Sequence, residues 1–258
     1  MIIKKTPEQV DRMAVAGEIL VRCLKMLESK ARAGVTTLEL DTAAEKFIRS
    51  QGATPAFKGY RGFPGSICAS PNSMVVHGIP GPYELQRGDV LSIDVGVIKD
   101  GWVADAAMTV PVGEVSAEAT KLLELTKASL FAGVEQMRPG NHLGDVSAAI
   151  QGTVEAEGMS IIRTLVGHGI GREMHEEPQV PNFGEPGRGP ELEEGMVLAI
   201  EPMVNAGGAL VRMGDDGWAV YSQDGSLAAH FEFTVAVTGD GVFETLRAVS
   251  KLVLKALA

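Results

Sequence analysis

LSIDVGVIKDGWVADAAMTV, residues 91–110, is the stretch whose reading decides the fold. Asp100-Gly101 is a two-residue turn signal between two apolar, β-branched runs, so the segment predicts an antiparallel hairpin with strands over 90–97 and 103–112. A two-residue turn pairs Lys99 with Trp102, Gly96 with Asp105 and Asp94 with Ala107. Asp94 and Asp105 then share a face as diagonal neighbours, roughly 7–8 Å apart at the backbone. Two carboxylates converging in apolar surroundings repel each other, and leaving either unpaired is costly. Lys99, the nearest cation in sequence, sits at the turn and is poorly placed. A bound cation is the better partner.

Outward from the hairpin the chain reads as two similar halves. Thr6-Pro7-Glu8-Gln9 combines an N-cap, a proline at the first helical position and a capping-box glutamine. It predicts an amphipathic helix to about Lys30, with Met13, Ala16, Leu20, Leu24 and Leu27 on its inner face. Thr36-Thr37-Leu38-Glu39 opens a second helix that stops near Gly52. Residues 53–73 are rich in Gly, Pro and Ser and read as a loop. After the hairpin, Ser116 caps a helix to about Met137, and another runs from about Gly144 to Gly158. Strand-like runs follow at 195–204, 219–222 and 231–237. At an offset of 106, Gly34 meets Gly140, Leu40 meets Val146, Ala43 meets Ala149, Ile48 meets Val154 and Gly52 meets Gly158. Matched apolar positions with a matching order of elements predict an internal duplication. The expectation is one α+β catalytic domain, 1–258, with halves of about 1–112 and 113–258, antiparallel strands inside and helices outside.

The 258 residues carry a formal net charge of −10, which argues against nonspecific binding to nucleic acid or anionic membrane. Two cysteines, Cys23 and Cys68, imply no disulfide framework. No window reaches the length of a membrane span. The start, MIIKKTPEQV, turns polar within a few residues, unlike a signal peptide. A cytoplasmic protein is expected.

The second half supplies further candidates. Glu201, in VLAIEPMV, ends an apolar run where Pro202 forces the strand to end or bend. It lies 107 residues after Asp94, close to the duplication offset. Glu232 sits in HFEFTVAV, another strand-like run. Between these runs lies GHGIGREMHEEP, residues 167–178, with His168 and His175. Its glycines would each cost roughly 1 kcal/mol in a helix interior, so it reads as irregular or extended backbone packed close against something, leaving the two rings free to serve different ends. Four carboxylates balance two divalent ions, and one histidine completes the set. Oxygen-rich coordination with a single imidazole suits Mn, Fe(II), Co or Zn. Paired ions of this kind support two-metal hydrolysis.

NSMVVHGIP, LSIDVGVIKDGWVADAAMTV, GHGIGREMHEEPQVPNF, LAIEPMVNAG and FEFTVAV resemble, in order and spacing, the motifs of type I methionine aminopeptidases, which have the pita-bread fold. The resemblance covers nearly the whole chain. It implies removal of the initiator methionine from nascent polypeptides, mostly where a small residue follows. By motif position it implies Asp94, Asp105, His168, Glu201 and Glu232 as ligands of two divalent ions, with Asp105 and Glu232 bridging. It makes Glu201 the general base, has His175 bond the developing oxyanion or the following amide, and has His77 orient the substrate. Tyr60, Phe63, Cys68, Met174 and Trp218 fall where the family builds its methionine pocket. The expected partners are nascent N-termini, with the ribosome surface nearby, and the expected state is a monomer without nucleic-acid or membrane binding.

Two other readings stand beside this one. A proline-directed relative would carry an additional N-terminal domain. A non-catalytic pita-bread protein that binds peptides or ribosomes would lose metal ligands, and here all five positions are filled. The chain also departs from the family pattern. His230 and Phe233 stand where a glutamine and a histidine are usual around the last glutamate, and Met174 replaces a phenylalanine. Such neighbours tune metal preference and rate. His142 is expected to be a bystander at a helix start, and His230 to be structural.

Overall fold

The computed structural model describes residues 1–239, so residues 240–258 of the expected domain lie outside the described residues. Up to residue 112 the elements are α1 (Pro7–Lys30), α2 (Thr37–Ser50), β1 (Thr54–Pro55), β2 (Cys68–Pro71), β3 (Met74–Val76), β4 (Val90–Lys99) and β5 (Trp102–Pro111). There follow α3 (Ala117–Glu135), α4 (Leu143–Glu155), β6 (Ser160–Ile161), β7 (Val166–Gly169), β8 (Glu176–Pro181) and β9 (Val197–Ile200). The described part closes with β10 (Met203–Asn205), β11 (Val211–Met213), β12 (Val220–Ser222), β13 (Ala228–His230) and β14 (Glu232–Ala236).

The helices begin where their caps predict. The Thr6 hydroxyl accepts from Gln9 N at 3.3 Å, and the Gln9 side chain accepts from Thr6 N at 3.0 Å. Thr36 and Glu39 repeat this capping box at α2, and Ser116 caps α3. His142 is the N-cap of α4, where Asp145 accepts from its backbone N–H.

The large sheet runs β1-β4-β5-β14-β9-β7-β8, with β2 also paired to β4. Its hairpin has the register that the Asp100-Gly101 turn dictates: Lys99 opposite Trp102, Gly96 opposite Asp105, Asp94 opposite Ala107. The central four strands are mirrored about the β5–β14 seam, because β4 flanks β5 as β9 flanks β14. Side chains alternate across each strand. Leu91, Ile93, Val95 and Val97 of β4 join Ala104, Ala106 and Val110 of β5, Leu198 and Ile200 of β9, and Phe233 and Val235 of β14 in the core beneath the helices. Asp94, Asp105 and Glu232 therefore point to the other face.

Residues 53–73 are not simply a loop: β2 pairs with β4, placing Cys68 opposite Asp94. Strands this short have no periodicity of their own, and the neighbouring strand supplies their order. Pro202 divides the run 195–204 as expected, with β9 joining the large sheet and β10 a separate three-stranded sheet with β6 and β13. GHGIGREMHEEP forms the β7–β8 hairpin, with a register irregularity between His168 and Gly169. Its glycines mark close backbone approach. A Cβ on Gly167 would strike the carbonyl of Ala199, and one on Gly169 the carbonyl of Glu177.

Gly167→Ala is therefore expected to destabilise the fold by about 1–3 kcal/mol, or about 2–4 °C in Tm per kcal/mol for a chain of this size. Gly152→Ala, inside α4 where a Cβ would meet nothing within 4 Å, should be neutral or stabilising by up to about 1 kcal/mol. Thermal melts of the two variants check the contrast. Equal melting temperatures would mean that the approach of Ala199 to β7 is not tight.

Candidate metal centre and substrate cavity

The polar face of the sheet gathers the acidic residues. Asp94 of β4 and Asp105 of β5 sit two positions out of register on one face. Glu232 of β14 pairs with Ala107, the residue that Asp94 also opposes, so it arrives from the far side of the seam. Glu201 follows β9, and Asn182 fixes it by donating to its carbonyl at 2.9 Å. His168 of β7 lies opposite Ala199 of β9. Thr234 clamps the Asp105 backbone, accepting from its N–H at 3.0 Å and donating to its carbonyl at 2.8 Å.

These groups are buried together. Asp105, His168 and Glu232 each offer a ligand atom within 4.8 Å of the others'. His168 Nε2 lies 3.7 Å from Glu201 Oε1. Its Nδ1 is 2.9 Å from the Gly169 carbonyl, which only accepts, so Nδ1 carries the proton and Nε2 presents a lone pair. Asp94 Oδ1, Asp105 Oδ1 and Glu232 Oε1 are sealed from solvent with no hydrogen-bond partner. Burial pushes the Asp94 carboxyl up to about 7. It also drives Asp105, Glu201 and Glu232 well above the usual carboxylate range, with mutual repulsion adding to it. Unpartnered, convergent carboxylates beside a neutral imidazole lone pair are the donor set that a divalent cation requires.

A cavity of about 200 Å³ opens above the cluster. Tyr60, Phe63, Cys68, His77, His175 and Trp218 line it, and Phe63 meets Trp218 edge to face at 5.1 Å. Asp41 shapes this wall by accepting from Ser66 N at 2.6 Å and Ile67 N at 3.1 Å. His77 is held at φ +59, a left-handed conformation costly for a side chain other than glycine. His175 stacks on Tyr60, whose hydroxyl is 2.8 Å from its Nδ1, and its ring lies 4.2 Å from that of His168. Desolvation, then the neighbouring His168, then Arg61 hold its pKa down to about 4, so the ring is neutral near pH 7. The turn that carries it is fixed by Glu176, which pairs with buried Lys5 at 2.7 Å and accepts from Arg172 N at 2.8 Å.

One expected residue falls elsewhere. Met174 does not line the cavity but is buried behind its wall, where its Cε lies against Gly96 beside Phe57. The bend over residues 171–175, between β7 and β8, sends Met174 inward while His175 faces the cavity. Five lining residues, Phe57, Val76, Leu165, Val166 and Met203, gave no signal in sequence beyond being apolar. His230, expected to be structural, also lines the cavity, with both ring nitrogens unpartnered. Burial holds it neutral, its pKa lowered to about 3.

Residues 11–239 match metallopeptidase family M24. The chain is 54% identical over 241 residues to the methionine aminopeptidase of Clostridium perfringens, covering 93% of this chain and 97% of that one. It is 49% identical to methionine aminopeptidase 1 of Bacillus subtilis, again covering 93% and 97%. The structure of methionine aminopeptidase from Thermotoga maritima superposes with a TM-score of 0.93 at 41% identity, covering 95% and 99%. Prolidase from Pyrococcus furiosus, 23% identical with a TM-score of 0.77 over 94% of this chain and 65% of its own, shares the pita-bread fold. The chain belongs to metallopeptidase family M24, among its methionine aminopeptidases.

Proposed function

We propose that this protein removes the N-terminal initiator methionine from new polypeptides, chiefly where the second residue is small, by two-metal hydrolysis. The observation that carries the reading is the cluster of unpartnered buried carboxylates at the floor of an apolar, sulfur-bearing cavity, in a chain so similar to enzymes of that name. Asp94, Asp105, His168, Glu201 and Glu232 hold two divalent ions, with Mn, Fe(II), Co and Zn as the candidates. When bound, the ions neutralise the carboxylates, polarise the scissile carbonyl and make water a nucleophile at neutral pH.

The chain's own groups do the rest. Tyr60, Phe63, Cys68 and Trp218 receive the methionine side chain, because an unbranched polarisable thioether packs well against aromatic rings. Met174 supports that wall from behind. Glu201 accepts the proton of the attacking water. With the Tyr60 hydroxyl donating to its Nδ1, His175 carries its proton on Nε2 and donates it as a hydrogen bond to the developing oxyanion or the following amide. His77 orients the substrate from the cavity mouth. The reading carries with it a cytoplasmic monomer that meets its substrates near the ribosome surface. The net charge of −10 disfavours nonspecific binding to nucleic acid, and no helix among the described residues is long and apolar enough to cross a membrane. The filled ligand positions and the similarity to methionine aminopeptidases disfavour the peptide-binding and proline-directed readings.

The direct test is metal-free protein reconstituted separately with Mn, Fe(II), Co and Zn and assayed on Met-Ala-Ser. Activity should require the ion, and Met-Ala peptides should be cleaved far better than Leu-Ala, Lys-Ala or Met-Leu peptides. Comparable cleavage of Lys-Ala, or of acyl-blocked Met-Ala, would overturn the assignment. Asp105→Asn tests the electrostatics separately. Removing one of four repelling carboxylates should leave metal-free protein at least as stable as the parent, while the rise in Tm on adding Co(II) or Mn(II) is lost.

The two histidines of residues 167–178 should fail differently. His168→Ala should lose metal, as elemental analysis would show. His175→Ala should keep both ions while kcat falls by roughly 10²–10³, the usual cost of one transition-state hydrogen bond. The opposite pattern would exchange the two roles.

A further inference from the structure

His230 is a buried histidine to which the reading above gives no task. It is 2% exposed at the end of β13, and its backbone is fixed by Thr109, which accepts from its N–H and donates to its carbonyl, both at 2.9 Å. Ser92 in turn braces Thr109 at 2.9 Å. With the main chain so held, the imidazole faces the cavity floor. Its Nε2 lies 3.8 Å from Glu201 Oε2 and 3.9 Å from Glu232 Oε2. Neither ring nitrogen has a hydrogen-bond partner.

Those distances are informative. They exceed a hydrogen bond, which ends near 3.2 Å for a nitrogen donor, so His230 is not holding either carboxylate in place. Two donor atoms on one ion, each bound at roughly 2.0–2.2 Å, lie within about 4.4 Å of each other. The separation of His168 Nε2 from Glu201 Oε1 is 3.7 Å, so the two rings stand in the same relation to opposite oxygens of one carboxylate. A buried polar atom without a partner costs about 1–3 kcal/mol. Here the unpartnered nitrogen faces Glu201 Oε2 and Glu232 Oε2, and Glu232 Oε1 is itself buried without a partner, so one cation between them would satisfy the imidazole and neutralise both carboxylates.

We infer that His230 is a sixth metal ligand, its Nε2 binding the divalent ion held by Glu201 and Glu232, so that the centre contains two imidazoles. This rests on the metal reading proposed above and changes its chemistry. A second imidazole moves the site away from the oxygen-only preference of Mn and Mg and toward borderline ions such as Co and Zn.

The test is proton NMR of the Co(II)-loaded full chain, with uptake measured by elemental analysis. Each cobalt-bound imidazole contributes one far-shifted N–H resonance, present in H2O and absent when the protein is prepared in D2O. Two are expected in the unaltered protein and one in His230→Gln. A single resonance in the unaltered protein would overturn the inference while leaving the metal centre intact, and this outcome does not depend on how His230→Gln folds. Failure to take up cobalt at all would overturn the metal reading and the sixth ligand with it.

Discussion

Repulsion among the four buried carboxylates is the constraint around which the structure is arranged. Asp94, Asp105, Glu201 and Glu232 come from four adjacent strands or their ends, β4, β5, β9 and β14, and the antiparallel pairing leaves them no way to separate. A one-residue slip in any pair would turn that strand's carboxylate into the core and its apolar residues onto the floor of the cavity. The register is therefore set twice, by the Asp100-Gly101 turn and by the apolar face of Leu91, Ile93, Val95 and Val97 packed beneath the helices. Burial on that face supplies the stability that offsets the electrostatic cost of the other. A cation removes most of the cost.

The mirrored sheet gives the arrangement an economical origin. Asp94 on β4 and Glu201 at the end of β9 occupy outer strands, and Asp105 on β5 and Glu232 on β14 occupy inner ones. We infer that residues 1–112 and the described part of 113–258 are copies of one helix–helix–strand unit set side by side in the sheet, each supplying one outer and one inner carboxylate. His168 breaks the symmetry, since it enters from β7 on the second-half side.

The helices and the central hairpin were legible because their signals are local. Capping boxes at Thr6 and Thr36 and the Asp-Gly turn act over three or four residues and need no tertiary partner. The three or four residues of β2, β3, β11 and β13 have no such signal, and the strands beside them decide their conformation. The acidic members of the proposed ligand set were legible because acidic residues inside apolar strands are costly and so conspicuous. His230 was not: flanked by Ala229 and Phe231 in an apolar run, it looks like a satisfied core histidine, and only three-dimensional placement shows both its nitrogens unpaired. Met174 was placed in the pocket by motif position, and the bend over residues 171–175 instead packs it behind Phe63 and Cys68.

The division of labour follows from the rigidity each task requires. Ions at fixed distances need donors that do not move, and Asp94, Asp105, His168 and Glu232 stand on paired strands, with Glu201 one residue beyond β9. A substrate must enter and leave, and Tyr60, His77, His175 and Trp218 stand on turns and connections between strands. Those connections are nonetheless braced, by Asp41 beneath residues 66–67 and by the buried Lys5–Glu176 pair beneath His175. Lys5 lies just before α1, so this ion pair ties the start of the first helix to the cavity wall, alongside Val10 and Met13, which pack in one cluster with Phe63 and Cys68. In GHGIGREMHEEP the glycines let β7 press against β9, which seats His168 among the carboxylates. The same hairpin then leaves the sheet before His175, and that exit gives the second histidine to the substrate side.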